Sequence, residues 1–270
     1  MMKREWRCMV RGQWWLLLLA VLLYGTVVSA ETFGVKKTTP KPDQYGNVVI
    51  NNLSEQNHIA PVVFNHWLHR ALYTCRICHV DLGFAMQAGG TGIKEADNVN
   101  GLYCGACHDN KLAFGPEKKT TFGNTEKFCD RCHSQGKKVT FVKDFYVFTK
   151  GFPPARFGNK VDWLQAETKG LIKLTDQLPG ITIPRKALKI PLDSEIKGKE
   201  AGMPDIIFSH QKHAVWNGCE LCHPDIFGVT KKSSVYSMQE IFEGKFCGAC
   251  HGKVAFVNLD CQLCHTKAVF

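Results

Sequence analysis

The pattern Cys-x-x-Cys-His occurs six times in this 270-residue chain and uses twelve of its thirteen cysteines. The six motifs begin at Cys75, Cys104, Cys129, Cys219, Cys247 and Cys261. A disulfide framework gives no reason for a histidine after every second cysteine. Zinc sites built from such pairs would use both cysteines of two motifs and leave the histidines without a role. Both alternatives therefore fit the pattern poorly.

The motif is the attachment site of a c-type haem. Its two thiols add to the two vinyl groups of the porphyrin, and the histidine becomes the proximal iron ligand. The sequence therefore predicts six covalently attached haem c groups. The predicted attachment cysteines are Cys75, Cys78, Cys104, Cys107, Cys129, Cys132, Cys219, Cys222, Cys247, Cys250, Cys261 and Cys264, and the predicted proximal ligands are His79, His108, His133, His223, His251 and His265.

Four of the five remaining histidines form two H-x-x-H pairs, His66 with His69 and His210 with His213. Each pair ends five residues before a haem motif. On a helix, the two imidazoles of such a pair lie about one turn apart and can reach two different irons. We therefore predict that these four histidines are distal ligands. His58 is left unassigned.

With F-x-H-x-x-H ahead of the first motif of each half, at residues 64–69 and 208–213, the chain resembles the class III multihaem cytochromes c of the triheme cytochrome c7 type. The resemblance implies two triheme modules in tandem, in a mostly α fold with little regular secondary structure wrapped around six haems. It also implies four axial pairs: His66 with His79, His69 with His108, His210 with His223, and His213 with His251.

The third haem of each module lacks the distal histidine that simple members of this family have. Residues 80–103 and 224–246 contain no histidine, but each interval contains one methionine, Met86 and Met238. A thioether is an established axial ligand that raises the haem potential. We predict Met238 as the ligand in the second module. In the first module Met86 competes with His58, and a five-coordinate iron remains an alternative at either site.

A repeat extends beyond the ligands, because "NGLYCGACHDNKLAF" at residues 100–114 matches "EGKFCGACHGKVAF" at residues 243–256. We predict an N-terminal module over residues 31–143, a haem-free connecting segment over 144–202 and a C-terminal module over 203–270. The connecting segment is too aromatic for a flexible linker, so we expect it to pack on the modules. Because the chain provides few residues for each haem, we expect the haems to form much of the core. We expect regular sheet to be limited to a short hairpin at residues 46–52.

Residues 1–30 have a basic start, an uncharged apolar run and small residues before a cleavage point after Ala30, which is the layout of a signal peptide. An uncleaved anchor is the alternative, although the run is short for a membrane span. Nothing later in the chain is apolar enough to cross a membrane. The formal charge of +10 is largely offset by haem propionates, so we do not interpret it as nucleic-acid binding.

These features predict a periplasmic hexahaem cytochrome that passes single electrons between closely spaced haems, not an enzyme. The resemblance implies a role in anaerobic respiration. The electron donors would be quinol-oxidising cytochromes of the inner membrane, and the acceptors would be cytochromes of the periplasm or outer membrane. An alternative location of the protein is the outer membrane or cell surface. The main alternative is a multihaem reductase with one open-site haem. A subunit of a conducting filament is a further hypothesis.

Overall fold

A computed structural model describes residues 39–135, 144–186, 189–198, 203–230 and 234–267. The chain divides into the units Met1–Thr39 and Pro40–Phe270, and the helices and strands of the described residues all belong to the second unit. The predicted signal peptide at residues 1–30 lies outside the described residues. Within the described residues, no helix has the length and apolar character needed to cross a membrane.

The helices are short. The α-helices are α1 His66–Arg70, α2 Glu95–Val99, α3 Cys129–Cys132, α4 Phe145–Thr149, α5 Trp163–Thr168, α6 His210–Asn217 and α7 Met238–Phe242. Single-turn 3-10 helices lie at Pro42–Gln44, Tyr103–Ala106, Phe246–Ala249 and Cys261–Leu263, and a π-helix lies at Ile77–Asp81. Both H-x-x-H pairs begin α-helices, α1 and α6, as the pattern predicts. Regular secondary structure is accordingly limited.

The strands form small antiparallel sheets. They are β1 Asn47–Ile50, β2 Val62–Asn65, β3 Glu117–Lys119, β4 Thr125–Lys127, β5 Ser194–Ile196, β6 Asp205–Phe208 and β7 His265–Lys267. β1 pairs with β2, β3 pairs with β4, and β6 lies between β5 and β7.

The predicted hairpin within residues 46–52 is wrong. That segment forms one strand, β1, and its partner is β2, with Asn47 opposite Asn65. β2 runs directly into α1, so the pairing positions the first histidine pair instead of closing a local turn. The second module repeats this arrangement, because β5 pairs with β6 and β6 leads into α6.

The connecting segment packs against the first module, as its aromatic content predicts. Trp67 and Ala71 of the first module are buried in one cluster with Phe145, Trp163 and other apolar residues of the segment. The Trp67 ring lies edge-on to Phe145 with ring centres 5.0 Å apart. This cluster lies outside the haem motifs, whereas Ile77 and Leu221 are buried inside the first and fourth motifs.

The two modules also meet at their first motifs, through a set of ion pairs that we call the motif bridge. Arg76, inside the first motif, binds Asp81 at 2.7 Å, and Arg185 of the connecting segment binds the same carboxylate at 2.9 Å. Arg185 also binds Glu220, inside the fourth motif, at 2.5 Å. The equivalent motifs of the two modules are therefore adjacent.

Candidate haem sites

The predicted attachment motifs lie in single turns of helix or tight turns. In four motifs the histidine N–H donates to the carbonyl of the first cysteine, at 2.8 Å for His108 and His133, 3.1 Å for His223 and 2.9 Å for His251. One helical turn thus carries two sulfurs and one imidazole. All twelve cysteines of the motifs have free thiols.

The predicted axial ligands meet in pairs. Ring contacts join His66 to His79 with 6.5 Å between ring centres, His69 to His108 with 6.4 Å, and His213 to His251 with 6.2 Å. The His66 and His79 ring planes are nearly parallel, at 5°. Within the described residues no ring contact joins His210 to His223, so this fourth pair stays a prediction.

These separations suit one metal ion between two imidazoles. An ion bound at ~2 Å by one nitrogen of each ring holds the two ring centres about 6 Å apart. Since imidazole is an established axial ligand of haem iron, the three pairs fit three haems with histidine on both sides of the iron.

The protonation of the ligand candidates is fixed by backbone carbonyls. All ten histidines of the pairs and motifs have Nδ1 within 2.6–3.2 Å of a backbone carbonyl oxygen. A carbonyl only accepts, so Nδ1 carries the proton and Nε2 keeps the lone pair that a metal needs. Among the described histidines, His58 alone lacks such a bond; it is exposed and has a φ of 54°.

The third motif of each module is tied back to the segment before the H-x-x-H pair. His133 Nδ1 donates to Ala60 O at 2.9 Å, and His265 Nδ1 donates to Pro204 O at 2.7 Å. Ala60 and Pro204 each precede the first histidine of their pair by six residues. The histidine of the third motif is therefore held by the equivalent backbone carbonyl in both halves.

A phenylalanine orients both histidines of each pair. Phe64 lies edge-on to His66 and against His69, with ring centres 4.7 and 4.4 Å apart. Phe208 makes the matching contacts with His210 and His213 at 4.9 and 4.3 Å. The phenylalanine of F-x-H-x-x-H thus restricts both imidazoles at once.

Burial shifts the pKa values of two ligand histidines and of two motif thiols. It lowers the pKa of His66 and of His251 to about 4, so that both imidazoles are neutral ligands at neutral pH. It also raises the pKa of Cys78 and of Cys250 to about 12. Since thioether formation adds an S–H bond across a vinyl group, protonated thiols suit the predicted attachment.

The two methionines occupy different settings. Met238 is the first residue of α7 and is 41% exposed, whereas Met86 lies half-buried in a loop. The structure shows no contact that assigns either sulfur to an iron, so both stay predictions. His58 lies two residues before Ala60, whose carbonyl binds His133, so it stays the competing candidate to Met86.

Sequence reasoning missed the features that act through the backbone. Gly105 and Gly248 follow the first cysteine of "CGACH", and a Cβ at either would lie 1.9 Å from a carbonyl oxygen, that of Asn98 or of Ile241. The residues two positions before these glycines, Tyr103 and Phe246, have φ of 48° and 50°. The repeated CGACH letters carried this signal. Four of the carbonyls that bind Nδ1 belong to a phenylalanine four to six residues after the motif histidine, a second signal present in the sequence: Phe84, Phe114, Phe227 and Phe256.

A family model described as cytochrome c7 and related cytochrome c matches residues 62–140 and 206–266, just over half of the chain. Each matched range contains three of the six motifs. A search of curated proteins gives no significant match.

Solved structures give further similarities. A c7-type three-heme cytochrome domain is 36% identical, covers 30% of this chain and 99% of its own, and has a TM-score of 0.27. The C-terminal hexaheme fragment of GSU1996 is 25% identical, with coverage of 85% and 99% and a TM-score of 0.26. The dodecaheme cytochrome c GSU1996 is 22% identical, with coverage of 88% and 80% and a TM-score of 0.26.

Proposed function

Since the chain belongs to the family of cytochrome c7 and related cytochromes c, we propose that it is a hexahaem electron carrier made of two triheme modules. The observation that supports this most is the spacing of the imidazole pairs, 6.2–6.5 Å between ring centres. Each of these pairs joins one histidine of H-x-x-H to one motif histidine, as two-sided axial ligation requires.

Haems bound at these motifs would supply one-electron redox chemistry. The motif cysteines would anchor them through thioethers, and the paired histidines would bind the iron. His66 and His69 lie on one helical turn and face two different motifs, so α1 holds two sites close together. Axial positions filled on both sides leave no open coordination position for a substrate, which favours an electron carrier over a reductase at these sites.

For the three remaining irons, we propose His210 with His223 in the first site of the second module, and methionine ligands at the third sites, Met238 opposite His265 and Met86 opposite His133. Thioether ligation favours the ferrous state. Each module would then contain sites of different potential.

The proposed setting is the periplasm, reached through the signal peptide at residues 1–30. Its partners are other redox proteins of anaerobic respiration: quinol-oxidising cytochromes at the inner membrane and cytochromes of the periplasm or outer membrane. The apolar run at residues 14–28 and the small residues after it support export.

The experiment that tests the proposal is the intact mass of the protein expressed with the haem-attachment machinery. We expect residues 31–270 plus six haems. The double variant Cys104→Ala/Cys107→Ala is the matched control and should lose one haem's mass. A protein without covalent haem would overturn the proposal.

Two spectroscopic measurements test the ligands. Carbon monoxide should not bind the ferrous protein if all six irons are six-coordinate, whereas binding at one site would favour the reductase. The ferric protein should show the near-infrared band of thioether-ligated haem. Met238→Leu and Met86→Leu should each remove part of that band.

A further inference from the structure

Arg70 is the last residue of α1 and lies where the first module, the connecting segment and the second module meet. Its Nη1 donates to the carbonyl of Val254 in the second module at 2.6 Å. Its guanidinium carbon lies 5.1 Å from the ring centre of Trp163 and 5.3 Å from that of Trp216. One side chain of the first module thus contacts both the connecting segment and the second module.

Within the described part of the chain, the charge of Arg70 has no carboxylate partner. Among the described residues, no aspartate or glutamate lies within ion-pair distance of it, in contrast to Arg76 and Arg185 of the motif bridge. The carboxylate whose charge acts on it is Glu167, and Glu167 Oε2 accepts a hydrogen bond from Trp216 Nε1 at 2.5 Å. A guanidinium stays protonated in proteins, so Arg70 is a partly buried, unpaired cation.

This cation lies beside a haem-attachment cysteine of the first module. Arg70 and Cys75 line the same small cavity, together with the rings of Trp163 and Trp216. Because cation–π contacts with two indoles and the burial of the cavity limit screening by water, its charge acts over a longer range than that of a surface arginine.

The same cation lies beside a haem site of the second module. Val254, whose carbonyl Arg70 binds, follows the fifth motif, and its own N–H donates to Cys250 O at 2.9 Å. Two residues on, Phe256 O accepts from His251 Nδ1 at 3.2 Å. Arg70 therefore contacts the loop that orients the proximal histidine of the fifth motif.

In the first module, the contact between Arg70 and Val254 lies close to the ligand candidate His66. Gly46, whose carbonyl binds His66 Nδ1 at 2.6 Å, is packed so that a Cβ there would lie 3.6 Å from Val254 Cγ1. The contact of Arg70 with Val254 thus lies beside one iron-ligand candidate in each module, His66 and His251.

We propose that the positive charge of Arg70 favours the ferrous state of the haems attached at Cys75/Cys78 and at Cys247/Cys250. Electrons then cross between the modules at these two sites. The inference rests on the proposed function. The electron comes from a redox-protein partner, no bond or proton moves, and gaining it lowers the charge of the site by one. A nearby cation favours that change.

Chain order alone would place the crossing between the third and fourth motifs. Arg70 instead connects the first motif, through the cavity that it lines with Cys75, to the fifth, through Val254.

The test is a haem-resolved redox titration of the full haem-loaded protein by NMR. Arg70→Met should lower the reduction equilibrium constant at the two named sites by about tenfold, which is 59 mV for one electron. Arg70→Lys should restore most of this. Glu167→Gln keeps an acceptor for Trp216 and should raise the constant at the same two sites by about threefold.

The matched control is Arg131→Met. Arg131 is also a cation on an aromatic ring, with its guanidinium carbon 4.2 Å from the centre of Phe128, but it lies inside the third motif. Arg131→Met should shift the reduction potential of the haem at Cys129/Cys132 and leave the potentials of the two named sites unchanged.

Unchanged potentials in Arg70→Met, or an equal shift at all six sites, would overturn the inference. If the Arg70→Met protein does not take up its haems, Glu167→Gln is the deciding variant. Unchanged reduction potentials at the two sites in Glu167→Gln would also overturn the inference. A wild-type protein without covalent haem would instead refute the proposed function, so the two failures are distinguishable.

Discussion

The two modules share one plan but differ in what supports it. In each, a strand carries a phenylalanine into a helix that begins with the H-x-x-H pair, and in each the third motif returns to the residue six positions before that pair. In the first module, however, both predicted histidine pairs are in ring contact, whereas the second has one such pair among the described residues. The plan is repeated, but the packing is not.

The two ligand helices also differ at the first of the two positions between their histidines. The first pair reads "HWLH" and the second "HQKH". Trp67 is 2% exposed and packs on the aromatic residues of the connecting segment, while its counterpart Gln211 is exposed. The connecting segment therefore supports α1 from behind and gives α6 no equivalent support at this position. A ligand helix with protein packing on its far side holds its imidazoles with less reliance on the haem.

The largest expected effect comes from removing that support. Trp67→Ala should lower the free energy of unfolding by about 3–5 kcal/mol, because it empties a buried aromatic site. Gln211→Ala, at the same place in the second module, should change it by less than ~0.5 kcal/mol. Denaturant unfolding followed by circular dichroism measures both. Equal losses would show that the modules do not differ in their support of the ligand helix.

The next effect tests what the modules share. Gly105→Ala and Gly248→Ala should each cost about 1–3 kcal/mol, since the new methyl group meets a backbone carbonyl that cannot move freely. Gly151 has open space around its missing Cβ, so Gly151→Ala is the control and should not destabilise the protein. A loss at only one of the two motif glycines would mean that the helix before "CGACH" packs differently in the two modules.

How far the sequence determines this structure differs between the motifs and their surroundings. Membership of a multihaem cytochrome family and the H-x-x-H helices could be predicted, because haem attachment demands fixed residue types at fixed spacing. The partner of β1 could not, because a strand of four residues pairs through its backbone with a segment that local turn signals do not identify. Arg70 was missed for a related reason. The sequence around Arg70 does not indicate that Trp163 and Trp216, which are distant in the chain, pack against its guanidinium group.

A smaller effect concerns the helix that precedes the second motif of each module. α7 begins with a capping box, in which Ser237 N–H donates to Glu240 and Glu240 N–H is within 3.3 Å of Ser237 Oγ. At the same place before α2 stands Lys94, whose backbone N–H donates to Asp97 at 2.8 Å but whose side chain cannot accept.

Ser237→Ala should therefore cost about 1 kcal/mol, and Lys94→Ser should gain up to about 1 kcal/mol by completing the cap of the first module. Thermal unfolding of the two variants compares them directly. If Lys94→Ser gives no gain, the cap is not what distinguishes the two helices.

The smallest expected effect is the pH dependence of the motif bridge. Burial works against ionisation of Glu220, but the hydrogen bonds it accepts and the charges of Arg185 and Arg76 lower its pKa below the ordinary 4.5. Its stabilising contribution is therefore complete above pH 4.5 and is lost as the pH falls through the lowered folded-state value. Because the Glu220 side chain is 48% exposed, the pair contributes only ~0.2–1 kcal/mol. Glu220→Gln should be less stable than wild type by that amount at neutral pH and equal to it well below pH 4.5. A stability difference between Glu220→Gln and wild type that does not change with pH would contradict this. It would show that Glu220 joins the two motifs through its shape and hydrogen bonds, and that its charge makes no contribution.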